Sequence, residues 1–433
     1  MDLAVRRAAR LSGEVTPPGD KSISHRALIF NAIARGQGQV HGLTTSADCL
    51  STARCLRALG VSIPDLPAGV SVPAFTIAGA GKGGLREPVD VLDAGNSGTT
   101  MRILSGLLAG QPFFSVLTGD VSLRSRPMGR VIEPLRRMGA QIRGRARDTL
   151  APLAIRGGDL KGISYRLPVA SAQLKTALLV AGLHAEGETV IEEPSLSRDH
   201  TERMFAAMGA DLRREGASVR IRPGELRSAS FTVPGDISAA AFWLVAACIH
   251  PNASVRVRGV GVNPTRTGVL DALRMMGAKV RVENERTEGG EPVADLVAES
   301  GGLRGIEVGG ELAPRLIDEA PVLMVAAAVA TGKTTFRNCE ELRIKESDRI
   351  AVMAQALTKL GVRVEELPDG AIVHGGAALA GAEVESAKDH RIAMSMAVAG
   401  LVATGQTTIR DAECVAISYP TFWRDMERVA GAG

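Results

Sequence analysis

Six times along the chain, a run of small apolar residues ends at a turn and is followed by residues of alternating polarity. Gly or Asn at the turn is typical of a helix C-terminus, and the Thr, Val and Ile that follow favour a strand. The pattern therefore predicts six helix–turn–strand pairs, each with a left-handed turn residue. The six turns lie at Gly36, Gly110, Gly187, Asn252, Gly332 and Gly405.

A second helix in each copy closes on another glycine before a further alternating stretch. These glycines are Gly60, Gly139, Gly209, Gly277 and Gly361, and the sixth copy ends at residues 429–433. The first set of turns recurs every 65 to 80 residues, which is too long for a solenoid repeat. We predict an α/β fold of six repeated subdomains, three in each globular half.

A short echo indicates where the two halves join. Pro18-Gly-Asp-Lys-Ser22 and Pro234-Gly-Asp-Ile-Ser238 share one frame, and each precedes an Ala-rich helix. The echo predicts an inserted domain at 20–233 and a second domain, made of 1–19 plus 234–433, that holds both termini. Two similar helix starts with no such meaning are the alternative interpretation.

Composition narrows the classes of function. The net charge is +4, from 51 basic and 47 acidic residues, and only 3% of residues are aromatic. Neither nucleic-acid binding nor membrane binding is expected from such a balance. Five cysteines without C-x-x-C spacing, and an N-terminus without a long apolar run, predict reduced thiols and a cytoplasmic protein.

The residues that follow the first Pro-Gly-Asp turn form a candidate anion site. Lys21, Ser22 and Arg26 lie on the first turns of a predicted helix, with residues 22 and 26 on one face. Free backbone N–H groups, one ammonium and one guanidinium would together hold a phosphate.

Other polar stretches mark further helix starts and turns. For each stretch the alternative is a purely structural role, such as a flexible turn, a solvated face, an N-cap or a surface ion pair. Pro127 would place Arg126 at a helix N-cap, and the spacing of Lys345 and Arg349 would align them on one helix face. Asp318 and Glu346 are candidate groups for proton transfer. The stretches are residues 93–102, 124–130, 169–175, 197–201, 317–319, 342–349 and 389–391.

Two patterns that would indicate a nucleotide site or a metal site are incomplete in this sequence. Thr331-Gly-Lys-Thr334 is similar to part of a phosphate loop, but Ala327 stands where the first Gly is required. The seven His and five Cys show no metal-binding spacing, so neither a metal nor a cofactor is predicted.

The stretches 18–26, 92–99, 343–349 and 389–391 resemble motifs of the EPSP synthase family, in the family's order and across nearly the full chain. The resemblance implies two domains, each of three β-α-β-α-β-β units packed with helices inside, and an active site in the cleft between the domains. It also implies enolpyruvyl transfer from phosphoenolpyruvate to the 5-hydroxyl of shikimate 3-phosphate, without a cofactor, by an enzyme expected to be a monomer.

The resemblance further implies a role for each matched residue. Lys21 would contact both substrates, Asp318 would accept the hydroxyl proton, and Glu346 would handle the methylene proton. The shikimate 3-phosphate site would comprise Lys21, Ser22, Arg26, Ser171, Ala172, Gln173, Arg198, Asp318 and Lys345. The phosphoenolpyruvate site would comprise Lys21, Gly98, Arg126, Gln173, Arg349 and Arg391.

Two alternatives remain open at this point. One is UDP-N-acetylglucosamine enolpyruvyl transfer, although Lys21-Ser22 fits that family poorly. The other is a non-catalytic relative that binds anions or RNA, which the low aromatic content disfavours. Sensitivity to glyphosate is also open: Arg198 in Ser197-Arg-Asp-His200 is similar to a branch of the family that is often tolerant, yet Gly98 stands where tolerant members commonly carry Ala.

Overall fold

In a computed structural model of the protein, the chain divides into two compact units. The structure describes residues 1–69, 72 and 74–431. Unit 1 comprises Met1–Pro18, Pro234–Thr287 and Pro292–Gly433, and unit 2 comprises Gly19–Val233 and Glu288–Glu291. The predicted end of the last repeat, 429–433, includes residues 432 and 433, which lie outside the described part.

Helices and strands alternate throughout both units. In unit 2, the elements are α1 (Lys21–Ile33), β3 (Arg35–His41), α2 (Ala47–Ala58), β4 (Phe75–Ala80), β5 (Leu92–Asp93), α3 (Gly98–Ala109), β6 (Phe114–Thr118), α4 (Val121–Ser125), α5 (Gly129–Arg137), β7 (Gln141–Gly144), the single turn α6 (Arg145–Asp148), β8 (Leu150–Arg156), β9 (Ser164–Arg166), α7 (Ala172–His184), β10 (Thr189–Glu192), α8 (His200–Ala207), β11 (Leu212–Glu215), β12 (Ser218–Ile221) and β13 (Phe231–Thr232).

Unit 1 begins with two strands and resumes after the inserted unit. Its elements are β1 (Leu3–Arg6), β2 (Leu11–Val15), α9 (Ile237–Ile249), β14 (Ala253–Gly261), α10 (Gly268–Met275), β15 (Lys279–Glu288), β16 (Glu291–Glu299), β17 (Glu307–Val308), α11 (Leu312–Leu316), α12 (Ala320–Val329), β18 (Lys333–Phe336), a 3-10 helix (Glu340–Ile344), α13 (Arg349–Lys359), β19 (Val364–Leu367), β20 (Gly370–His374), β21 (Glu383–Glu385), α14 (His390–Gly400), β22 (Gln406–Arg410), a 3-10 helix (Ala412–Ile417) and α15 (Phe422–Ala430).

The strands of the described residues form six small sheets, three in each unit. In chain order within unit 2 the sheets are β13-β3-β4, β5-β6-β8-β7 and β11-β12-β10-β9; unit 1 holds β1-β22-β21, β15-β16-β14-β2 and β17-β18-β20-β19. Each sheet combines both kinds of pairing, as β6 does by pairing parallel with β5 and antiparallel with β8. The prediction of an α/β fold built from six repeats is confirmed.

The helices at the centre of each unit are buried on nearly all sides. They are α1, α3 and α7 in unit 2, and α9, α12 and α14 in unit 1. A helix that is apolar all round must lie inside its unit, with the sheets outside it. Small residues permit the closest packing: a Cβ at Gly106 of α3 would overlap the carbonyl oxygen of Ala177 on α7.

Most of the predicted turn glycines have the expected left-handed conformation. All five that close the second helices have positive φ, between 79° and 112°. In the first set, Gly110 has φ −90° and Asn252 is not among the residues with positive φ, so the prediction is wrong at these two positions. Gly110 is required for space instead, because a Cβ there would lie 2.5 Å from Cγ of His184.

Residues 288–291 correct the predicted domain boundaries in one place. They form the tip between β15 and β16, which the prediction assigned to the domain with both termini, yet they group with unit 2. Buried Glu291 lies 2.8 Å from Nδ1 of His200, and the carbonyl of Gly290 accepts from Arg203. These polar contacts tie the tip to α8.

All five cysteines are free and buried. No helix in the described part of the chain is both long enough and apolar enough to cross a bilayer.

Candidate functional site

The N-terminus of α1 carries the first cluster of predicted site residues. The Asp20 side chain caps the helix by accepting from the backbone N–H of Ile23 at 2.9 Å. Lys21 opens the helix, as predicted, and its Nζ lies 2.9 Å from Oδ2 of Asp48 at the start of α2. The ammonium is therefore held at the helix start while it remains partly open to solvent.

Arg26 lies one turn further along α1 and is buried. Its Nε donates to Oγ1 of Thr201 at 2.8 Å, and Nη1 donates to the carbonyl of Ser22 at 2.9 Å. Nη2 donates to Oγ1 of Thr176 at 2.7 Å and to the carbonyl of Ala172 at 3.4 Å. Burial lowers the pKa of Arg26 to about 10, so the side chain is still charged at pH 7. Arg26 thus joins the starts of α1, α7 and α8.

Arg198 reaches the same place from the segment before α8. Its Nη1 donates to Oγ of Ser22 at 3.2 Å. This segment is anchored by buried charges, because Nζ of Lys175 lies 2.8 Å from Glu193 and 2.6 Å from Glu202. Glu193 also accepts from the backbone N–H of Ser197, which fixes the residue next to Arg198.

The start of α7 adds the predicted polar residues at 171–173. Ser171 is the N-cap and accepts from the N–H of Leu174 at 3.4 Å, as its position predicts. Gln173 accepts from Nη1 of Arg102 at 2.6 Å and donates to Oγ1 of Thr99 at 2.8 Å. The amide thereby connects α7 to the first turn of α3.

Gly98 begins α3 beside two guanidinium groups. A Cβ at Gly98 would lie 3.2 Å from Nη1 of Arg102 and 3.7 Å from Nη1 of Arg126. Arg126 donates to Oδ1 of Asn96 at 2.7 Å. The predicted N-cap position of Arg126 is wrong: Arg126 is the C-cap of α4, and α5 begins only at Gly129.

Unit 1 holds a second cluster around Arg349, the first residue of α13. This buried guanidinium donates to Asp389 through Nε at 2.8 Å and to Glu346 through Nη2 at 2.6 Å. Its Nη1 donates to Oδ1 of Asp318 at 3.4 Å. Burial alone would lower the pKa of Arg349, but these three carboxylates raise it above its ordinary value.

Asp318 is the carboxylate that the cations of unit 1 share. Besides Arg349, Nζ of Lys345 lies 3.8 Å away and Nη2 of Arg391 lies 3.9 Å away. Burial lowers the pKa of Lys345, although Asp318 opposes the shift. Lys345 and Arg349 do not share a helix face as predicted, because Lys345 is the C-cap of a 3-10 helix and Asp348 is the N-cap of α13.

Each unit therefore brings its own predicted site residues together. Unit 2 gathers cations and helix N-termini suited to phosphate and carboxylate groups. Unit 1 adds three cations around Asp318 and Glu346, carboxylates able to exchange protons with a bound molecule. Among the described residues, no group of three or more His, Cys, Asp or Glu side chains is placed to hold a metal ion.

Three residues of these clusters were not predicted as site residues. Arg102 lies within the stretch singled out at 93–102, and its position four residues after Gly98 on one helix could have identified it. Asp389 belongs to the stretch 389–391, in which Arg391 was the predicted site residue. Asp48 carries no local signal, because only the packing of α2 against α1 brings it to Lys21.

A family model described as "EPSP synthase (3-phosphoshikimate 1-carboxyvinyltransferase)" matches residues 5–426 of the chain. Two curated relatives carry the name 3-phosphoshikimate 1-carboxyvinyltransferase. The protein from Gloeobacter violaceus is 56% identical over 98% of both chains. The protein from Herpetosiphon aurantiacus is 52% identical over 100% of both chains.

Solved structures are similar across the same length. EPSP synthase from Acinetobacter baumannii superposes with a TM-score of 0.87 and 46% identity, covering 99% of this chain and 98% of that one. The enolpyruvyl transferase NikO from Streptomyces tendae has a TM-score of 0.78 at 20% identity, covering 98% and 96%, and shares the fold.

Proposed function

The chain belongs to the EPSP synthase (3-phosphoshikimate 1-carboxyvinyltransferase) family, and we propose that it transfers the enolpyruvyl group of phosphoenolpyruvate to shikimate 3-phosphate. It is an enzyme of the shikimate pathway. The observation that carries the proposal is the full-length family match together with two clusters of cations, which suit two phosphorylated and carboxylated substrates.

We propose that shikimate 3-phosphate binds at the start of α1 and at the residues joined to it. Lys21, Ser22 and Arg198 would contact its phosphate, supported by the N–H groups at the helix start. Arg26 would act chiefly by holding Ser22 and Ala172, because its donors are already engaged there. Further contacts would come from Ser171, Ala172, Gln173, Asp318 and Lys345.

Phosphoenolpyruvate would bind the arginine-rich parts of the two clusters. Gly98 leaves room for an anion to approach the N-terminus of α3 between Arg102 and Arg126. Lys21 and Gln173 would contact it from unit 2, and Arg349 and Arg391 from unit 1. A planar guanidinium suits both phosphate and carboxylate oxygens, which explains why Arg dominates this set.

The reaction then proceeds by addition and elimination. Asp318 would take the proton of the 5-hydroxyl group while the oxygen of that hydroxyl forms a bond to C2 of phosphoenolpyruvate. In the same step Glu346 would protonate the methylene carbon. Loss of phosphate from C2 and return of one methyl proton to the enzyme would restore the vinyl group. Lys345, Arg349 and Arg391 lie beside the carboxylate of Asp318, so three cations surround the proposed proton acceptor.

The enzyme is proposed to act as a monomer in the cytoplasm on these two small molecules. Five free buried cysteines are consistent with a reducing compartment. Addition, elimination and proton transfer need no redox or carbanion-stabilising cofactor.

Release of inorganic phosphate from phosphoenolpyruvate tests the proposal directly. We expect release with shikimate 3-phosphate and none with UDP-N-acetylglucosamine. Lys21→Ala and Asp318→Asn should each reduce turnover by about two orders of magnitude or more, because they remove a charge or a proton acceptor used by the reaction. Lys161→Ala, which changes an exposed lysine of the same unit, is the control and should turn over normally.

Phosphate release with UDP-N-acetylglucosamine and not with shikimate 3-phosphate would show that the UDP-sugar is the acceptor. A fully active, folded Lys21→Ala variant would contradict the proposed role of the α1 N-terminus.

A further inference from the structure

A chain of hydrogen bonds between buried side chains runs from α1 to α3 through α2. Nδ1 of His25 lies 2.7 Å from Oγ1 of Thr52, which lies 2.6 Å from Oγ1 of Thr100. The Thr100 hydroxyl donates to Oγ of Ser97 at 2.7 Å. All four side chains are fully buried, so none of them touches solvent or a ligand directly.

The two ends of this chain lie at the two proposed substrate sites of unit 2. His25 is one helical turn after Lys21, and Thr52 is one turn after Asp48, so the His25–Thr52 contact repeats the Lys21–Asp48 contact one turn deeper. At the other end, Ser97 caps α3 by accepting from the N–H of Thr100, and Gly98 follows it directly.

The hydrogen bonds can all run in one direction. Burial holds the pKa of His25 well below its ordinary value, with Lys21 and Arg26 acting in the same sense, so the imidazole is neutral. A neutral ring carries one N–H, and Nε2 has no hydrogen-bond partner among the described residues. With the proton on Nδ1, His25 donates to Thr52, Thr52 to Thr100 and Thr100 to Ser97.

We propose that Thr52 and Thr100 are positioning residues whose hydroxyl groups, together with the His25 imidazole and the Ser97 hydroxyl at the two ends, hold the Ser97–Gly98 turn in place relative to Lys21. We call these four residues the hydroxyl relay. The proposal rests on the proposed function, because it predicts a defect in phosphoenolpyruvate binding. Without the relay, Lys21 keeps its ion pair with Asp48 and the helix keeps its Asp20 cap, whereas Ser97 loses the hydrogen bond from the Thr100 hydroxyl.

Thr52→Val removes the hydroxyl and nearly conserves the shape of the side chain. We expect the KM for phosphoenolpyruvate to rise about fivefold to tenfold, the effect of roughly one lost hydrogen bond, while kcat stays within about twofold. Thr52→Ser restores the hydroxyl and should restore the KM. Ser105→Ala is the matched control, because Ser105 is a buried residue of α3 whose hydroxyl, among the described residues, donates within its own helix to the carbonyl of Met101.

A double-variant comparison separates a relay from independent packing effects. Thr100→Val should raise the same KM, and Thr52→Val with Thr100→Val should be no worse than either change alone, since breaking one link already interrupts the relay. If Thr52→Val fails to fold, as judged by circular dichroism and thermal unfolding, Thr100→Val tests the proposal in its place.

Unchanged KM values in both single variants would overturn the proposal, as would fully additive effects in the double variant or an equal effect of Ser105→Ala. Failure of the unmodified protein to release phosphate would instead count against the proposed function, so the two failures are distinguishable.

Discussion

At the scale of single residues, the two repeated Pro-Gly-Asp turns differ in the residue that begins the following helix. Ile237 occupies the place of Lys21. Other side chains of unit 1 contact the start of the helix that Ile237 begins. Arg266 donates to Ser238 at 2.7 Å and lies 3.5 Å from the buried carboxylate of Glu319. In unit 1 the buried carboxylate of Glu319 thus meets the helix start at Ser238, whereas in unit 2 the ammonium of Lys21 pairs with Asp48 and stays partly exposed.

Gly98→Ala tests the space available beside the arginines. The added methyl would sit 3.2 Å from Nη1 of Arg102, so this guanidinium or a ligand must move. We expect the KM for phosphoenolpyruvate to rise roughly tenfold or more and that for shikimate 3-phosphate to change by less than about threefold, from steady-state phosphate release. Gly83→Ala is the control, because a Cβ there meets no atom within 4 Å. Equal changes in both KM values would contradict the interpretation.

At the scale of elements, α7 carries proposed site residues at its N-terminus and His184 at its C-terminus. Its N-terminus presents residues 171–173, and its last residue, His184, packs against the end of α3 at Gly110. Burial, with a smaller contribution from the nearby charge of Lys82, lowers the pKa of His184 from 6.5 to about 4. The native state therefore resists protonation at this position.

The lowered pKa predicts that acid destabilises the protein. Above pH 6.5 His184 is neutral in both states, but below it the unfolded chain takes up a proton that the native state refuses until about pH 4. At pH 5 His184 should cost about 2 kcal/mol of unfolding free energy relative to pH 7.5. Urea unfolding at both pH values should show this extra loss in the unmodified protein and not in His184→Gln. Parallel pH dependences of the two proteins would contradict the prediction.

At the scale of the whole molecule, both units exclude water from their thiols. The pKa of Cys55, Cys248, Cys339 and Cys414 is raised to about 12, mainly by burial, and that of Cys49 is raised as well. Unit 2 contains two of these cysteines and unit 1 contains three, so their reactivity reports on both cores.

Thiol titration should therefore distinguish the native protein from the unfolded chain. With a chromogenic disulfide reagent at pH 8, we expect negligible fast reaction of the native protein, because thiolate is scarce and buried. In guanidinium chloride all five thiols should react. Fast reaction of one or more thiols under native conditions would show that the corresponding core opens readily, and fewer than five in denaturant would indicate oxidation.

The site was only partly predictable from the sequence, for a physical reason. Lys21, Ser22 and Arg26 lie on the first two turns of one helix, so their proximity follows from local periodicity. Arg126 and Lys345 do not occupy the helix positions that were predicted for them. The exact residue at which a helix begins or ends is hard to predict from sequence, because several neighbouring residues can serve as the cap. Asp48 and the partners of Arg26 come from other segments of the chain, and their approach depends on packing that no local pattern records.

By itself, the sequence determined the six repeats, the α/β class and the presence of family motifs, because these depend on local periodicity, turn residues and short ordered stretches. Only the tertiary structure decided which charges neutralise each other, as with Arg349 among three carboxylates and Glu319 beside Arg266. It also decided that His25, Thr52, Thr100 and Ser97 form one relay. Hydrogen bonds and ion pairs act over a few ångströms in space, and segments distant along the chain meet only when the helices pack.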